Sequence, residues 1–369
     1  MNKVITFFRK NTVFCVACLA ALITSVIVPP DKEYLGYFDT RTLTNLFLTL
    51  SVVCALKNIR FFSILARRIV ILTGSLRTLT LALVYITFIG SMLIANDMAL
   101  ITFLPLGYFA LAVTGNDEYM AYVFILQNIS ANLGGMLTPF GNPQNLYLYS
   151  AFNIPTGEFT EIMLPPFILA VALLTVCCLC LKNAKLVIAK EPPQKLDMKR
   201  TVLLLTLFAC SILIVFRIIN YIVGLVVITA ALVIIDRKAL KDVDWGLLGT
   251  FTMFFVFSGN MARIGGVNKL VSALLNKSTL LVSILSCQFI SNVPTAILMS
   301  RFTENYRELL LGVNIGGTGT LISSLASLIT FSQYRRIYPG RTKKYLLMFA
   351  AMNALFLGIM TAATYLFFR

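Results

Sequence analysis

Long apolar segments separated by short polar ones follow each other from one end of this chain to the other. One set has the composition of ordinary membrane spans: residues 13–29, 43–56, 162–181, 201–219, 222–235, 247–257 and 345–367. Several are shorter than the roughly 20 residues that a transmembrane helix needs, so we expect their ends to extend into neighbouring polar residues. The pattern predicts an all-α polytopic membrane protein.

A second set of apolar segments is interrupted by polar residues. Asn96-Asp97 interrupts residues 79–106, and Ser291-Asn292 interrupts residues 280–299. Residues 119–149 and 311–331 are broken in the middle by Gly, Asn, Thr and Ser. Irregular backbone at membrane depth is tolerated only where protein or a polar cavity covers it, and such breaks point to a transporter's binding site. We therefore predict two re-entrant helical hairpins and two broken transmembrane helices.

The two halves of the chain contain matching motifs in the same order. The matches pair Asp39 with Asp244, residues 93–100 with 289–296, and residues 132–139 with 314–321. Three ordered matches predict an internal repeat in which each copy has one hairpin and one broken helix. We expect a first repeat at residues 1–182, a basic loop and linker helix at 183–221, and a second repeat at 222–369.

The charges predict the topology. The net charge is +16, and most of the 31 Lys and Arg residues lie in short loops between apolar segments. Because short cytoplasmic loops are enriched in Lys and Arg, we place the basic N-terminus inside, with residues 13–29 as a retained first span rather than a cleaved signal. Residues 61–73 would lie along the interface as an amphipathic helix. The span at 201–219 then inverts the second repeat relative to the first.

Composition narrows the function classes. The chain has no His and eight Cys, which lie in or beside apolar segments and are expected to pack as small hydrophobic residues. No nucleotide-binding loop and no catalytic constellation is found, so an enzyme, an ATP-driven pump and a cofactor are not expected. Placement of the basic residues in short loops makes nucleic acid an improbable partner, so the expected partners are the lipid bilayer and a small ion or anion.

Candidate site residues come from the hairpin tips and the helix breaks. The free N–H groups of half-helices that point to mid-membrane favour an anion, and unwound carbonyl oxygens favour sodium. The candidates for substrate binding are Asn96, Asp97, Asn142, Asn145, Ser291, Asn292, Thr295, Thr318 and Thr320. The candidates for cation binding or coupling are Asp97, Asn132, Gly135, Thr138, Asn314 and Gly317. No structural metal is expected, and sodium or a proton is the expected coupling ion.

Asp97 is the most informative single residue. A carboxylate inside an apolar segment is costly and indicates function by default, here binding of a proton or sodium. The alternatives are a structural partner for Arg77 or a cap on a half-helix that starts at Met98. Val293 occupies the matching position of the second repeat, which predicts that coupling is biased to the first half.

The motifs at these positions resemble those of the ion transporter superfamily. Asn96-Asp97 is similar to the Thr-Asn-Asp tip of arsenite permeases, with Ala95 in place of the Thr, and residues 291–295 resemble the second Ser-Asn hairpin motif. Residues 138–145 resemble the family's Thr-Pro-x-Gly-x-Pro-x-Asn break. The resemblance covers residues 38–330 and extends to citrate carriers, divalent-anion/sodium symporters and short bacterial inner-membrane anion permeases. It implies a multi-pass carrier of the bacterial plasma membrane, working as a homodimer with elevator-type movement.

Two functions remain open from the sequence. One is a secondary active transporter of a small anion, either an inorganic oxyanion or a small carboxylate, coupled to sodium or protons. The alternative is a sodium/proton antiporter without an organic substrate, in which Asp97 is the titrating group. A passive channel is less favoured, because broken inverted repeats are typical of alternating access.

Overall fold

The structure is a computed structural model that describes residues 12–185 and 196–368. The basic N-terminal residues and part of the basic loop used for the topology prediction lie outside the described residues. Within the described ranges the chain is almost entirely helical, and its only extended pairing is an isolated bridge between Ser75 and Lys185. The predicted all-α polytopic class is confirmed.

The described part of the first half, from residue 12 on, contains eight α-helices before the basic loop. They are α1 (Thr12–Ile27), α2 (Thr40–Asn58), α3 (Phe61–Ile71), α4 (Leu76–Ile94), α5 (Asn96–Val113), α6 (Met120–Gly134), α7 (Pro143–Ala151) and α8 (Thr156–Leu179). The helices α4 and α5 meet at the single residue Ala95, and α6 and α7 are separated by an irregular segment. These two discontinuities lie where the sequence predicted a hairpin and a broken helix.

The linker and second half follow the same plan. Their helices are α9 (Met198–Val215), α10 (Tyr221–Ile235), α11 (Arg237–Lys241), α12 (Trp245–Arg263), α13 (Gly265–Lys277), α14 (Thr279–Ile290), α15 (Asn292–Met299), α16 (Tyr306–Ile315), α17 (Leu325–Ile337) and α18 (Thr342–Ala363). By length and composition, five helical segments of the described chain can cross a membrane, or up to seven if each bent pair counts as one span.

Two elements differ from the sequence prediction. The arms of the first hairpin are 19 and 18 residues long, which extends α5 into the predicted loop after residue 106. Each arm is long enough to cross a bilayer, and the re-entrant placement stays a prediction. The sequence did not predict helix α13, because its polar residues lower the mean hydropathy of the segment. Its apolar residues nevertheless recur at helical spacing, at Val267, Leu270, Val271, Leu274 and Leu275.

Corresponding helices begin and bend in the same way in both halves. Asp39 caps α2 by accepting from an amide at 2.9 Å, and Asp244 caps α12 in the same way at 2.9 Å. A bend of 58° then separates α2 from α3, and a bend of 95° separates α12 from α13. A hairpin, a broken helix and a long final helix follow in each half. The order of elements from α2 to α8 therefore resembles that from α12 to α18.

The two broken helices contact each other in antiparallel order. Within the pair, Asn128 bonds Ser327, Asn132 bonds Ser324 and Asn145 bonds Asn314. On either side of the first broken helix, the flanking residues Asp117 and Glu158 bond Tyr338 and Tyr306. The residue numbers rise in the first half as those of their partners fall in the second. Antiparallel packing is the arrangement that an inverted repeat requires, although inversion of the whole repeat across a membrane stays a prediction.

The halves do not fold as separate bodies. One buried apolar cluster includes Leu126 and Phe159 from the first half and Phe251 and Leu311 from the second. Helix α1 packs against α12 of the other half, where the Asn260 side chain donates to hydroxyl groups of α1. Both halves thus contribute to the core that supports the hairpins, and the three predicted segments divide the sequence rather than the packed core.

Candidate functional site

The two hairpin tips have the same strained backbone. Ala95 has φ 65° and ψ 152°, and Ser291 has φ 73° and ψ 159°. This region is populated almost only by Gly, so each residue carries an energetic cost of about 1–3 kcal/mol that the surrounding structure must offset. The next helix starts at once with Asn96 or Asn292, whose side-chain oxygen accepts the following amide at 2.9 Å in both cases. The tips are therefore built alike, and in each the N-terminus of the second helix lies directly at the turn.

Asn132 connects the first tip to the break of the second half. Its Oδ1 accepts from Nδ2 of Asn96 at 3.1 Å and from Oγ of Ser324 at 2.7 Å. The carbonyl oxygen of the adjacent Ser323 accepts from the backbone N–H of Asn292 at 2.9 Å. One hydrogen-bonded chain thus leads from one hairpin tip to the other through both broken helices.

The break of the first half is closed by Asn145. Its Nδ2 lies 3.1 Å from the carbonyl oxygen of Gly135, 3.3 Å from that of Met136 and 3.4 Å from that of Thr138. Its Oδ1 accepts from Nδ2 of Asn314 at 2.6 Å. Since these carbonyl groups have left the helix, they need other donors. Asn145 supplies one and ties the break to the second half.

The break of the second half is closed by Gln288, which sequence reasoning missed. Its Nε2 donates to the carbonyl oxygens of Gly316 at 3.0 Å and Thr318 at 3.3 Å, and its Oε1 accepts from the N–H of Thr320 at 2.9 Å. The signal that could have found it is a carboxamide on an apolar helix, three residues before the Ser-Asn tip. Asn128 and Ser327 were missed in the same way, as buried polar residues that join the broken helices.

The predicted threonines donate to backbone rather than to open space. Each hydroxyl group donates to a backbone carbonyl oxygen: Thr138 to that of Met92, Thr295 to that of Ser291, Thr318 to that of Ile315, and Thr320 to that of Gln288. Thr138 and Thr320 each tie a helix break to the neighbouring hairpin. Their hydroxyl oxygens can still accept a hydrogen bond, but their donors are already used.

Gly135 and Gly317 allow asparagine side chains to approach the breaks. A Cβ atom on Gly135 would overlap the carboxamide of Asn142, and one on Gly317 would lie 3.0 Å from Nδ2 of Asn292. The two glycines occupy matching positions in the two halves. Their role here is close approach, so a larger residue at either position would displace a polar side chain of the site.

Several buried polar atoms near the tips have no hydrogen-bond partner within the described chain. They are Nδ2 of Asn132, Oδ1 of Asn142, Oε1 of Gln144 and Oδ1 of Asp97. Buried polar groups are nearly always satisfied, so unpartnered atoms call for a ligand, an ion or water. One of these atoms is a donor suited to an anion, and three are oxygens suited to a cation or a donor group.

The alternatives for Asp97 are narrowed by its surroundings. Arg77 donates to the carbonyl oxygen of Leu181, from Nε at 3.1 Å and from Nη2 at 2.9 Å. The alternative that Asp97 is a structural partner of Arg77 is therefore wrong. Helix α5 begins at Asn96, and Asp97 lies within its first turn rather than before it. A negative charge at a helix N-terminus is favourable. No ion pair of Asp97 is seen among residues 12–185 and 196–368.

The structure thus brings most candidate residues into one network. Direct contacts join one group, which consists of Asn96, Asn132, Asn142, Asn145, Asn314, Gly135 and Thr138. The facing group consists of Ser291, Asn292, Gly317, Thr318 and Thr320. The two groups meet at Ser323 and Ser324. Thr295 is one turn behind the second tip, and Asp97 is beside the first.

Comparison with known proteins gives consistent matches over most of the chain. The model of a family described as citrate transporter matches residues 4–306, which include both hairpin tips. The chain is 31% identical over 315 residues to an uncharacterized transporter of Methanocaldococcus jannaschii, covering 84% of each protein. It is 27% identical over 335 residues to the inner membrane protein YbiR of Escherichia coli, covering 88% of this chain and 89% of that protein.

Proposed function

Because the chain belongs to the citrate transporter family, we propose that it is a secondary active transporter of a small anion coupled to sodium or protons. The substrate class is an inorganic oxyanion or a small carboxylate. The chain is a multi-pass membrane protein, and its similarity to a bacterial inner membrane protein supports the plasma membrane as its location. Transport rather than catalysis is the activity that this family membership favours.

The observation that carries this proposal is the network between the two tips. The N-termini of α5 and α15 start at Asn96 and Asn292, and helix N-termini favour negative charge. Nδ2 of Asn132 is a buried donor without a partner in the described chain, and it lies in the same network. Two half-helix dipoles and an unused amide donor form a site for a small anion that needs no buried arginine.

Coupling and movement are the finer parts of the proposal. The unpartnered oxygens of Asp97, Asn142 and Gln144 supply ligands for sodium, and the Asp97 carboxylate alone of the three can take up a proton. We expect elevator-type alternating access, in which the hairpins and broken helices move together, and a homodimer that holds the remaining helices in place. The continuous hydrogen bonds from tip to tip support movement of the hairpins and broken helices as one body.

Uptake into proteoliposomes tests the anion carrier. The purified protein is reconstituted, and uptake of radiolabelled oxyanions and small carboxylates is followed under imposed sodium or pH gradients. We expect saturable uptake of at least one anion that depends on one gradient. Uptake that neither saturates nor responds to a gradient would contradict a coupled carrier.

The carboxylate at Asp97 favours a second function, a sodium/proton antiporter. Its buried, unpartnered oxygen is the group that would titrate. Proton movement on addition of sodium alone, with no anion present, would favour the antiporter over the anion carrier. In either case Asp97→Asn should abolish coupling, whereas Glu161→Gln, a change on the exposed start of α8, should leave it intact. Unchanged coupling in Asp97→Asn would remove Asp97 from the mechanism.

A further inference from the structure

The amide nitrogen of Gln288 is surrounded by backbone oxygens. Nε2 lies 3.0 Å from the carbonyl oxygen of Ile284, 3.0 Å from that of Gly316 and 3.3 Å from that of Thr318. An amide nitrogen has two hydrogens, so it shares them among three acceptors. Two of the three oxygens belong to the helix break, where unwound carbonyl groups commonly coordinate a coupling cation.

The rest of the Gln288 residue holds the break in place. Its Oε1 accepts from the N–H of Thr320 at 2.9 Å, and its backbone oxygen accepts from Oγ1 of Thr320 at 3.0 Å. Between these groups Gly319 has φ 123°, and a Cβ atom there would overlap the Gln288 carboxamide. The break therefore wraps closely around one side chain of the second hairpin.

The first half closes its break by another device. Met92 lies at the position that matches Gln288, and its backbone oxygen accepts from Thr138 as that of Gln288 accepts from Thr320. The Met92 side chain has no polar group to offer, and the carbonyl groups of that break bond Asn145 instead. The hydroxyl contact is common to both halves, but the carboxamide from the hairpin exists only in the second.

We propose that Gln288 is a positioning residue of the substrate site, whose amide nitrogen occupies the place of a coupling cation at the second break. The carboxamide holds the segment 316–320, and through it the tip at Asn292, without a bound cation in this half. The inference rests on the proposed transport function only for its effect on substrate affinity.

The variant Gln288→Glu tests the role of the amide nitrogen. One carboxylate oxygen can still accept from Thr320, but the other faces three carbonyl oxygens, and that arrangement is repulsive unless a cation enters. In choline chloride at alkaline pH, we expect Gln288→Glu to have a lower melting midpoint than the wild type. Sodium chloride, at a concentration well above the Kd for sodium, should raise the midpoint of Gln288→Glu on the order of 5 °C more than it raises that of the wild type. Equal sodium effects in both proteins, or full stability in choline, would overturn the proposal.

Met92→Glu is the matched control, because it adds the same charge at the equivalent position of the first half. There the break is already capped by Asn145, so we expect no sodium effect beyond that of the wild type. A sodium effect equal to that of Gln288→Glu would show that any buried carboxylate recruits sodium. That result would also overturn the special role of Gln288.

Gln288→Met, which copies the side chain of the first half, tests substrate positioning. Losing the hydrogen bonds of one amide should raise KM for the transported anion about tenfold, with the maximal rate within about twofold of the wild type. An unchanged KM would overturn the positioning role. The melting comparison needs no substrate, so it decides the inference even if the wild type takes up none of the anions and the proposed function fails.

Discussion

The hydrogen bond between Asn132 and Ser324 is one of the contacts through which the two halves meet at the site. Replacing Asn132 by Ala removes the acceptor of two buried donors, at 3.1 and 2.7 Å. A buried donor without a partner costs about 1–3 kcal/mol, so we expect the free energy of unfolding to fall by about 2–4 kcal/mol. Ser324→Ala loses the same bond and a cap on α17, for about 1–2 kcal/mol.

The double variant then measures the bond itself. Because the shared bond is lost only once, the two changes together should cost about 1 kcal/mol less than the sum, within the range known for interhelical bonds in membranes. The assay is reversible unfolding in mixed micelles with increasing denaturing detergent. Asn132→Ala combined with Ser63→Ala, an exposed position on α3, should be additive. Additivity within about 0.5 kcal/mol for Asn132 and Ser324 would refute the contact.

Three further outcomes are expected. Tyr306→Phe removes a hydroxyl group that donates to Glu158 at 2.6 Å, and should lower the free energy of unfolding by about 1 kcal/mol in the same assay. Gly134→Ala places a methyl group against a backbone carbonyl of α4 and should lower the free energy of unfolding by about 1–3 kcal/mol. A variant as stable as the wild type would show that α4 and α6 can move apart without cost, which would contradict their close packing. Arg263 lowers the pKa of the exposed Asp31 carboxyl, so the stability this pair contributes is present above the ordinary pKa of about 3.9 and lost below it. The difference in melting midpoint between the wild type and Arg263→Gln should therefore shrink as the pH falls below about 4, and a constant difference would contradict it.

The elements followed from local patterns in the sequence. Apolar length predicted the spans. The Ser-Asn interruption includes the residue that separates the helices of the second hairpin, Ser291, and the Asn-Asp interruption directly follows the residue that separates those of the first, Ala95. Matching motifs predicted that Asp39 and Asp244 begin equivalent helices, which both do by capping them. The hydropathy pattern did not reveal α13, because polar residues lie between its apolar residues and lower the mean hydropathy of the segment.

The candidate site was only partly predictable. Asn96 and Asn292 were predicted to lie at the two hairpin tips and to belong to the site, and the structure joins them through Asn132, Ser324 and Ser323. The sequence contains no signal for which asparagine bonds which, because a side-chain amide can donate or accept with many partners. The contributions of Gln288 and Asn128 were missed for the same reason. Both are carboxamides whose partners in the second broken helix are far away in the sequence.

The sequence by itself determined that this chain is a polytopic membrane protein, and it predicted two similar halves, because hydrophobic length and backbone breaks are properties of short segments. The tertiary structure decided how the halves meet. It packs the broken helices antiparallel and leaves Asp97 without Arg77 as a partner. It also gives the two breaks different caps, Asn145 in the first and Gln288 in the second. The physical reason is that a hydrogen bond between distant residues depends on how whole helices pack, which the local pattern of apolar and polar residues does not specify.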